Sequence, residues 1–464
     1  MNPRPAPRLR EANRFKQIPS MVLDKALPDD HPARTIWAYV TTINLDAFLE
    51  QIRAVKGQPG RNATDPRILL AVWMYAIVDG VGSARWLAEL CQHHIAYRWL
   101  CGGVSLNHHI LSDFRVSFEE ELDQLLKDHV SALMQQGLVD LKRVAQDGMR
   151  VRANAGAASF RRGQTIEECQ KEVAEQLALL KDQADDPPGS AAARSRAARQ
   201  RHLEEKTVRL EEAKKVAAEL EAKRAHRLQE HPKEAAKEAG KDPAKKAGRG
   251  STTDPEARQM KMPDGGYRPA YNVQAASTTA EGLIVGIDVT KQGTDAGLMG
   301  PMIGQIEESY GKPPEEMLND GGFMSVEDVE AAAAKNVDVY MPLRDEKKEL
   351  AAGKDPYAAK KGDKAGMKGL RTRMGTQEAK KIYKERASTA EWVNAGMRNR
   401  GLYQFLVRGV RKVRAVVLMQ ALVHNLFTTI RLCSNKKLVR GWTEILRAGL
   451  KGIKKEGQMV VASG

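Results

Sequence analysis

Three carboxylates stand out by where they fall. The apolar runs Arg143-Val144-Ala145-Gln146-Asp147-Gly148 and Glu316-Met317-Leu318-Asn319-Asp320-Gly321-Gly322 each end in Asp-Gly. Glu391 lies far downstream in a helix-like segment, Tyr383-Lys384-Glu385-Arg386-Ala387-Ser388-Thr389-Ala390-Glu391. Mg²⁺ prefers oxygen ligands and is usually held by one or two carboxylates, with substrate phosphate completing its shell. Two such ions ~3.5–4 Å apart activate the attacking oxygen and stabilise the leaving oxygen of an in-line displacement at phosphorus. Three acidic side chains on neighbouring elements therefore suffice for a site that cuts a phosphodiester backbone.

Each carboxylate also has a purely structural reading. Asp-Gly is a strong hairpin signal, so Asp147-Gly148 and Asp320-Gly321 could each be a tight turn. Ser388-Thr389-Ala390-Glu391 has the form of a capping box at a helix start. Asp288 and Asp295 are second choices as acidic ligands. Histidine offers no ligand set: His93-His94 and His108-His109 are adjacent pairs, whose side chains should diverge on a helix. Cys91, Cys101, Cys169 and Cys433 make no CxxC pair, which argues against a zinc module or a disulfide framework and for a reducing cytoplasm.

The charge balance narrows the partner. Lys and Arg number 74 against 59 Asp and Glu, a formal +15 over 464 residues, so the mean field attracts polyanions. Nucleic acid comes first. A membrane is not expected, because the longest apolar stretch, Val413 to Ile430, contains Arg414, Gln420, His424 and Asn425 and reads as a buried helix.

The elements that must position the acids follow from periodicity. Trp37 to Ile52 gives one helical pattern, then Leu69 to Ile77, breaking at Asp79-Gly80-Val81-Gly82, with Ser83 capping the next. Short helices at Ile95 to Leu100, Asn107 to Phe118 and Glu119 to Gln136 complete a region resembling either a helix-turn-helix DNA reader or any small α-domain. A strand spans Val139 to Val151. From Thr165 to about Gly250 the chain is almost all Ala, Glu, Lys, Arg and Gln, predicting an antiparallel helical hairpin broken at Asp185-Asp186-Pro187-Pro188-Gly189. A linker-like piece follows from His231 to Gly250. Strands resume at Tyr271 to Ala276 and Leu283 to Val289, and a helix from Ala296 to Tyr310 leads to the Asp320 strand. A further helix, Val326 to Asn336, and the strand Val337 to Pro342 come next. Lys360 to Arg373 reads as a basic, Gly-rich loop. This order predicts an α/β layer sandwich with a mixed sheet.

These residues resemble the DDE transposases of bacterial insertion sequences. The resemblance runs over most of the chain: the Asp147 strand, Thr253 to Arg258 leading into Gly266 to Gln274, the Asn319 to Phe323 strand end, and the Tyr383/Arg386/Glu391 helix. In that family the last carboxylate lies in a Tyr, Arg, Glu, Lys signature; here Arg398 stands where Lys is usual, a planar fork in place of a point charge. The resemblance implies a ribonuclease H-like mixed sheet with flanking helices, an all-α N-terminal domain and an inserted helical hairpin. It divides the chain into an extension (1–64), a helical DNA-binding domain (65–138), the catalytic domain (139–163 and 251–433), the insertion (164–250) and a basic tail (434–464). It further implies Asp147, Asp320 and Glu391 as catalytic residues and metal ligands for two Mg²⁺ ions, with Mn²⁺ as substitute. Arg398, Arg386 and Tyr383 would position DNA. Helical spacing independently puts Arg398, two turns past Glu391, on the same face.

The expected activity is then binding of terminal inverted repeats, hydrolytic cleavage at the element's ends, and attack of the freed 3′ hydroxyl on target DNA without a covalent enzyme intermediate. Expected partners are double-stranded DNA, both element ends and target, and further copies of the chain, at least a dimer on DNA, in a bacterial, nucleoid-associated cytoplasmic setting. Arg85, Arg98 and Arg115 are expected to contact the repeats, and Arg408, Arg411, Lys412 and Arg414 to track phosphates. The rival readings are a catalytically inactive DNA-binding protein of the same fold, and an RNA-binding or chromosome-organising protein that relies on the hairpin.

Overall fold

A computed structural model describes residues 22–52, 62–182, 190–233, 236, 247–436, 438, 441–448 and 450. The Asp185 to Gly189 break, most of the expected linker and most of the basic tail lie outside these residues.

The chain opens with helices α1 (Pro32–Val40) and α2 (Asp46–Glu50). The expected single pattern from Trp37 to Ile52 is thus two helices. Thr41 and Thr42 turn their hydroxyls back to the Ala38 carbonyl, and the Asn44 side chain accepts from the Asp46 amide to start the second. Next come α3 (Pro66–Val78), α4 (Ala84–His93), α5 (Ile95–Cys101), α6 (His108–Ser117) and α7 (Glu119–Gln135). Asp65, Ser83 and Asn107 cap α3, α4 and α6 through their side chains, as their types predict.

The sheet begins with β1 (Arg143–Arg152). A short strand β2 (Phe160–Arg162) leads into the insertion, α8 (Gly163–Asp182) and α9 (Ala191–Glu230), and β3 (Arg249–Ser251) leads out, pairing antiparallel with β2. The two insertion helices share a small apolar seam of Ile166, Val173, Leu203, Leu210, Ala213 and Ala217. Gly250 lies so close to α9 that an added Cβ would sit 2.0 Å from the Ala213 carbonyl oxygen. This clasp was not expected: three-residue strands leave almost no periodic signal.

The chain continues through β4 (Arg258–Lys261), β5 (Tyr267–Thr278), β6 (Ile284–Thr290), α10 (Met299–Tyr310), β7 (Glu316–Leu318), α11 (Val326–Ala334) and β8 (Asp338–Tyr340). It ends, among the described elements, with α12 (Glu346–Ala351), α13 (Ala365–Met374), α14 (Gln377–Asn399) and α15 (Val410–Asn435). Neighbouring strands run β6-β5-β1-β7-β8, antiparallel among β6, β5 and β1, and parallel among β1, β7 and β8. That topology is the mixed sheet of a ribonuclease H-like fold. α10, α11 and α13 bury one face with Met302, Ile303, Val329 and Leu370; α15 and the N-terminal helices bury the other.

α15 is long and apolar enough to cross a membrane, but 72% of its apolar window is buried inside the protein. Its Asn425 side chain both accepts from the Ile284 amide and donates to the Ile284 carbonyl, closing the open edge of β6. His129 of α7 bridges the Tyr39 and Thr429 hydroxyls, tying α1, α7 and α15 into one core.

Two expectations fail here. Lys360 to Arg373 is not a loop, because α13 occupies most of it. The Glu330 carboxylate accepts from the Gly366 and Met367 amides, so the first turn is capped from a distant helix. Ser388 to Glu391 is not a capping box either: Thr376 caps α14 and the helix runs unbroken through Ser388.

Candidate functional site

Alternation along β1 sends Asp147 to the face covered by α14, and Gln146, Gly148 and Arg150 to the opposite face. Residues 144 and 145 lie beside 317 and 318 of β7 in parallel register, so Asp147 and Asp320 emerge side by side where β7 ends. Neither Asp-Gly is a hairpin. β1 runs straight through Gly148, where an added Cβ would meet Asp295 Oδ1 at 2.3 Å and Gln274 Nε2 at 2.6 Å. Asp320 caps a single 3₁₀ turn, its Oδ1 accepting from the Gly322 amide at 2.7 Å.

Arg386 of α14 joins the two acids. Its Nη2 lies 3.2 Å from Asp147 Oδ1 and 3.5 Å from Asp320 Oδ2. Asn394, two turns on, donates to Asp147 Oδ2 at 2.9 Å. Burial pushes the Asp147 carboxyl above its ordinary range; the Arg386 charge opposes this, and the Asp320 and Asp295 charges add to it. Burial likewise raises Tyr383, with Arg386 opposing and Asp320 and Asp147 adding, so its phenol shares the same field.

Glu391 is exposed and forms no hydrogen bond or ion pair among the described residues. At ~100° per residue it is turned roughly 140° from Arg386, whereas Asn394 is turned only about 80°. Arg398, half-exposed, is also unpaired among the described residues. Asn394 escaped sequence reasoning; the one signal for it was the stripe Arg386, Ala390, Asn394, spaced every four residues on the side of α14 that meets β1.

On the other sheet face a polar chain mirrors the acids. Asn319 donates to Gln146 at 3.1 Å, Gln146 donates to Gln274 at 2.9 Å, and Gln274 and Asn272 donate to Asp295. Asp295 also pairs with Arg150 at 3.2 Å. Asp288 pairs in register with Gln274 and faces the same way. The two second-choice ligands therefore lie across the sheet from Asp147.

Several expected DNA contacts are spent internally. Arg115 is 7% exposed, stacks over the Trp73 ring and donates to the Gly82 carbonyl. Arg414 pairs with Glu119 and, at 2.7 Å, Asp123. Arg411 lies 3.5 Å from both Glu119 and Glu120, and Arg408 donates to the Asn154 carbonyl. Arg85, Arg98 and Lys412 remain exposed. The His108 and His109 rings, expected to diverge, approach to 4.0 Å at the start of α6.

Among the described residues no three His, Cys, Asp or Glu side chains are spaced to hold a metal ion. Asp147 and Asp320 meet one positive charge, the Arg386 guanidinium, and their carboxylate oxygens are the donor type that divalent cations such as Mg²⁺ take. Glu391 stands apart on the flank of α14.

Residues 21–117 match the family model of a transposase domain (DUF772), and residues 361–429 match that of a transposase DDE domain. The second match contains Tyr383, Arg386, Glu391, Asn394 and Arg398; Asp147 and Asp320 fall between the two, and the first crosses position 64. No match was found among curated proteins or solved structures.

Proposed function

From the premise that a chain with a transposase domain at each end belongs to the insertion-sequence DDE transposases, we propose that it binds terminal inverted repeats and cleaves and transfers DNA strands. The observation that carries this reading is the convergence of Asp147 and Asp320 on Arg386 from adjacent parallel strands. Asp147 and Asp320 would hold Mg²⁺ or Mn²⁺, with Glu391 as the third ligand. Bound there, two ions activate the attacking oxygen and stabilise the leaving one.

The protein's own groups have separate tasks. Arg386 neutralises both aspartates until the cations arrive, and Asn394 fixes the rotamer of Asp147 through its second oxygen. The unpaired Glu391 carboxylate has to swing or shift toward the strand ends to complete the set. Arg398, on the Glu391 face of α14, would contact a phosphate, and Tyr383 would position DNA beside the two aspartates. The region 65–138 supplies repeat recognition, with Arg85 and Arg98 in place of the buried Arg115. At least two copies of the chain would assemble on DNA.

Arg386 between the acids and the outward Glu391 also favour a second reading, a DNA-binding protein of this fold without catalysis. Purified protein incubated with a terminal-repeat duplex decides between them. Nicking that requires Mg²⁺ or Mn²⁺ and disappears in an Asp147→Asn form that still binds supports catalysis; equal inactivity of both forms supports the binding protein.

A further inference from the structure

Arg115 and Arg400 differ from four other enclosed arginines of this chain. Arg143, Arg371, Arg386 and Arg414 each pair with carboxylates. Arg115 and Arg400 have no acidic partner among the described residues, yet both line one cavity of about 50 Å³. Arg115 Nε and Arg400 Nη1 are sealed from solvent without a hydrogen-bond acceptor, as is Gln420 Oε1 on the same wall without a donor. Burial alone lowers both guanidinium groups, Arg115 to about 10, with no neighbouring negative charge to offset it.

The cavity lies on the seam between two regions. Trp73, Gly80, Gly82 and Arg115 come from the N-terminal helices, and Arg400, Gly401, Leu406 and Gln420 from the α14–α15 link and α15. The seam is closed tightly there: a Cβ on Gly401 would come within 2.9 Å of the Gly80 carbonyl oxygen.

We propose that this cavity binds one phosphate-sized anion, hydrogen phosphate, and that the anion cements the N-terminal helices to the catalytic region. A buried guanidinium with no negative charge beside it is costly, even where, as at Arg115, a ring and a carbonyl meet part of it, and two lining one void make an anion the natural complement. The space exceeds what one water needs, ~10–15 Å³ on the same measure. Hydrogen phosphate offers acceptor oxygens to Arg115 Nε and Arg400 Nη1 and one O–H to Gln420 Oε1. A phosphodiester of DNA has no such O–H, which favours the free anion over a backbone phosphate.

The test uses the full chain and inorganic phosphate, with chloride at matched ionic strength as control. Phosphate should raise the thermal midpoint saturably, with one site per chain by calorimetry. Arg400→Gln should remain folded and lose the response, its apparent Kd rising about tenfold or more, since a charged hydrogen bond is removed. Gln420→Met, which keeps both cations, should weaken phosphate without abolishing it, and serves if Arg400→Gln unfolds. A response no larger than that to chloride, or one unchanged in both variants, overturns the proposal. Phosphate that competes with a terminal-repeat duplex in the wild type and not in Arg400→Gln would assign the cavity to DNA and overturn the free-anion source. None of these readouts depends on strand cleavage.

Discussion

Arg386 does at rest what a divalent cation would do at work: it lets two aspartates sit close together. Replacing it with Gln should leave Asp147 and Asp320 repelling each other in a partly buried place, lowering stability by about 1–3 kcal/mol in metal-free buffer. Mg²⁺ should then raise the thermal midpoint more in Arg386→Gln than in the wild type, because the ion supplies the missing charge; an equal rise in both would refute that role. The Gln146–Asn319 hydrogen bond sits one residue behind each acid, so Asn319→Leu should disturb their spacing. A misplacement of about 1 Å can cost ~10²-fold in rate. Cleavage by Asn319→Leu should fall by roughly that factor while duplex binding stays within twofold or so, which single-turnover kinetics and a binding isotherm can check. Asp147 and Asp320 were legible because each ends an apolar run. Asn394 was not, because an amide carries no motif, and the outward direction of Glu391 could not be read because the start of its helix was misplaced.

Among the elements, those whose ends are specified by their own neighbours were readable. Asp65, Ser83 and Asn107 cap helices within three residues of themselves, and the break at Gly80 falls where expected. α13 was missed because its cap, Glu330, is supplied from α11, and local sequence holds no record of such a partner. Glu330→Ala should therefore cost about 1 kcal/mol, the usual worth of a cap, and speed amide exchange in residues 365–368 ahead of the rest of α13. The Ser388 to Glu391 motif misled for the converse reason: a capping pattern has meaning only where a helix begins, and Thr376 had already begun this one. That the sheet is mixed was readable from the succession of strands and helices along the chain, whereas β4 and the β2–β3 clasp were too short to announce themselves.

For the molecule as a whole, the surplus of positive charge was plain from composition, but its distribution was not. Arg115, Arg143, Arg371 and Arg414 are consumed inside the fold, so the surface offered to DNA is smaller than the count of cations suggests. The core seam gives a pH signature. His129 and His424 are both held to about 4 by burial, against an ordinary value near 6.5. As pH falls below about 6.5 the unfolded chain takes up these protons first, so the stability from each neutral imidazole is intact above that pH and is lost progressively toward about 4. The loss approaches ~3 kcal/mol per histidine. Denaturant titrations across that window should show stability falling with acidity, and His424→Gln should flatten the curve; an unchanged slope would remove the histidines from the explanation.

The clasp at the root of the insertion has a mechanical corollary. β2 and β3 hold both legs of the hairpin together a short way along the chain from β1, and α9 runs for 40 residues. The clasp meets α9 at Ala213 and Ala217, so the arm from there back to Ala191 is roughly 33 Å long at 1.5 Å per residue, and a 5° tilt at the clasp sweeps its far end through roughly 3 Å. Whatever grips the tip works with that leverage on the catalytic strand, and a small readjustment at the acids would be broadcast outward as a large stroke.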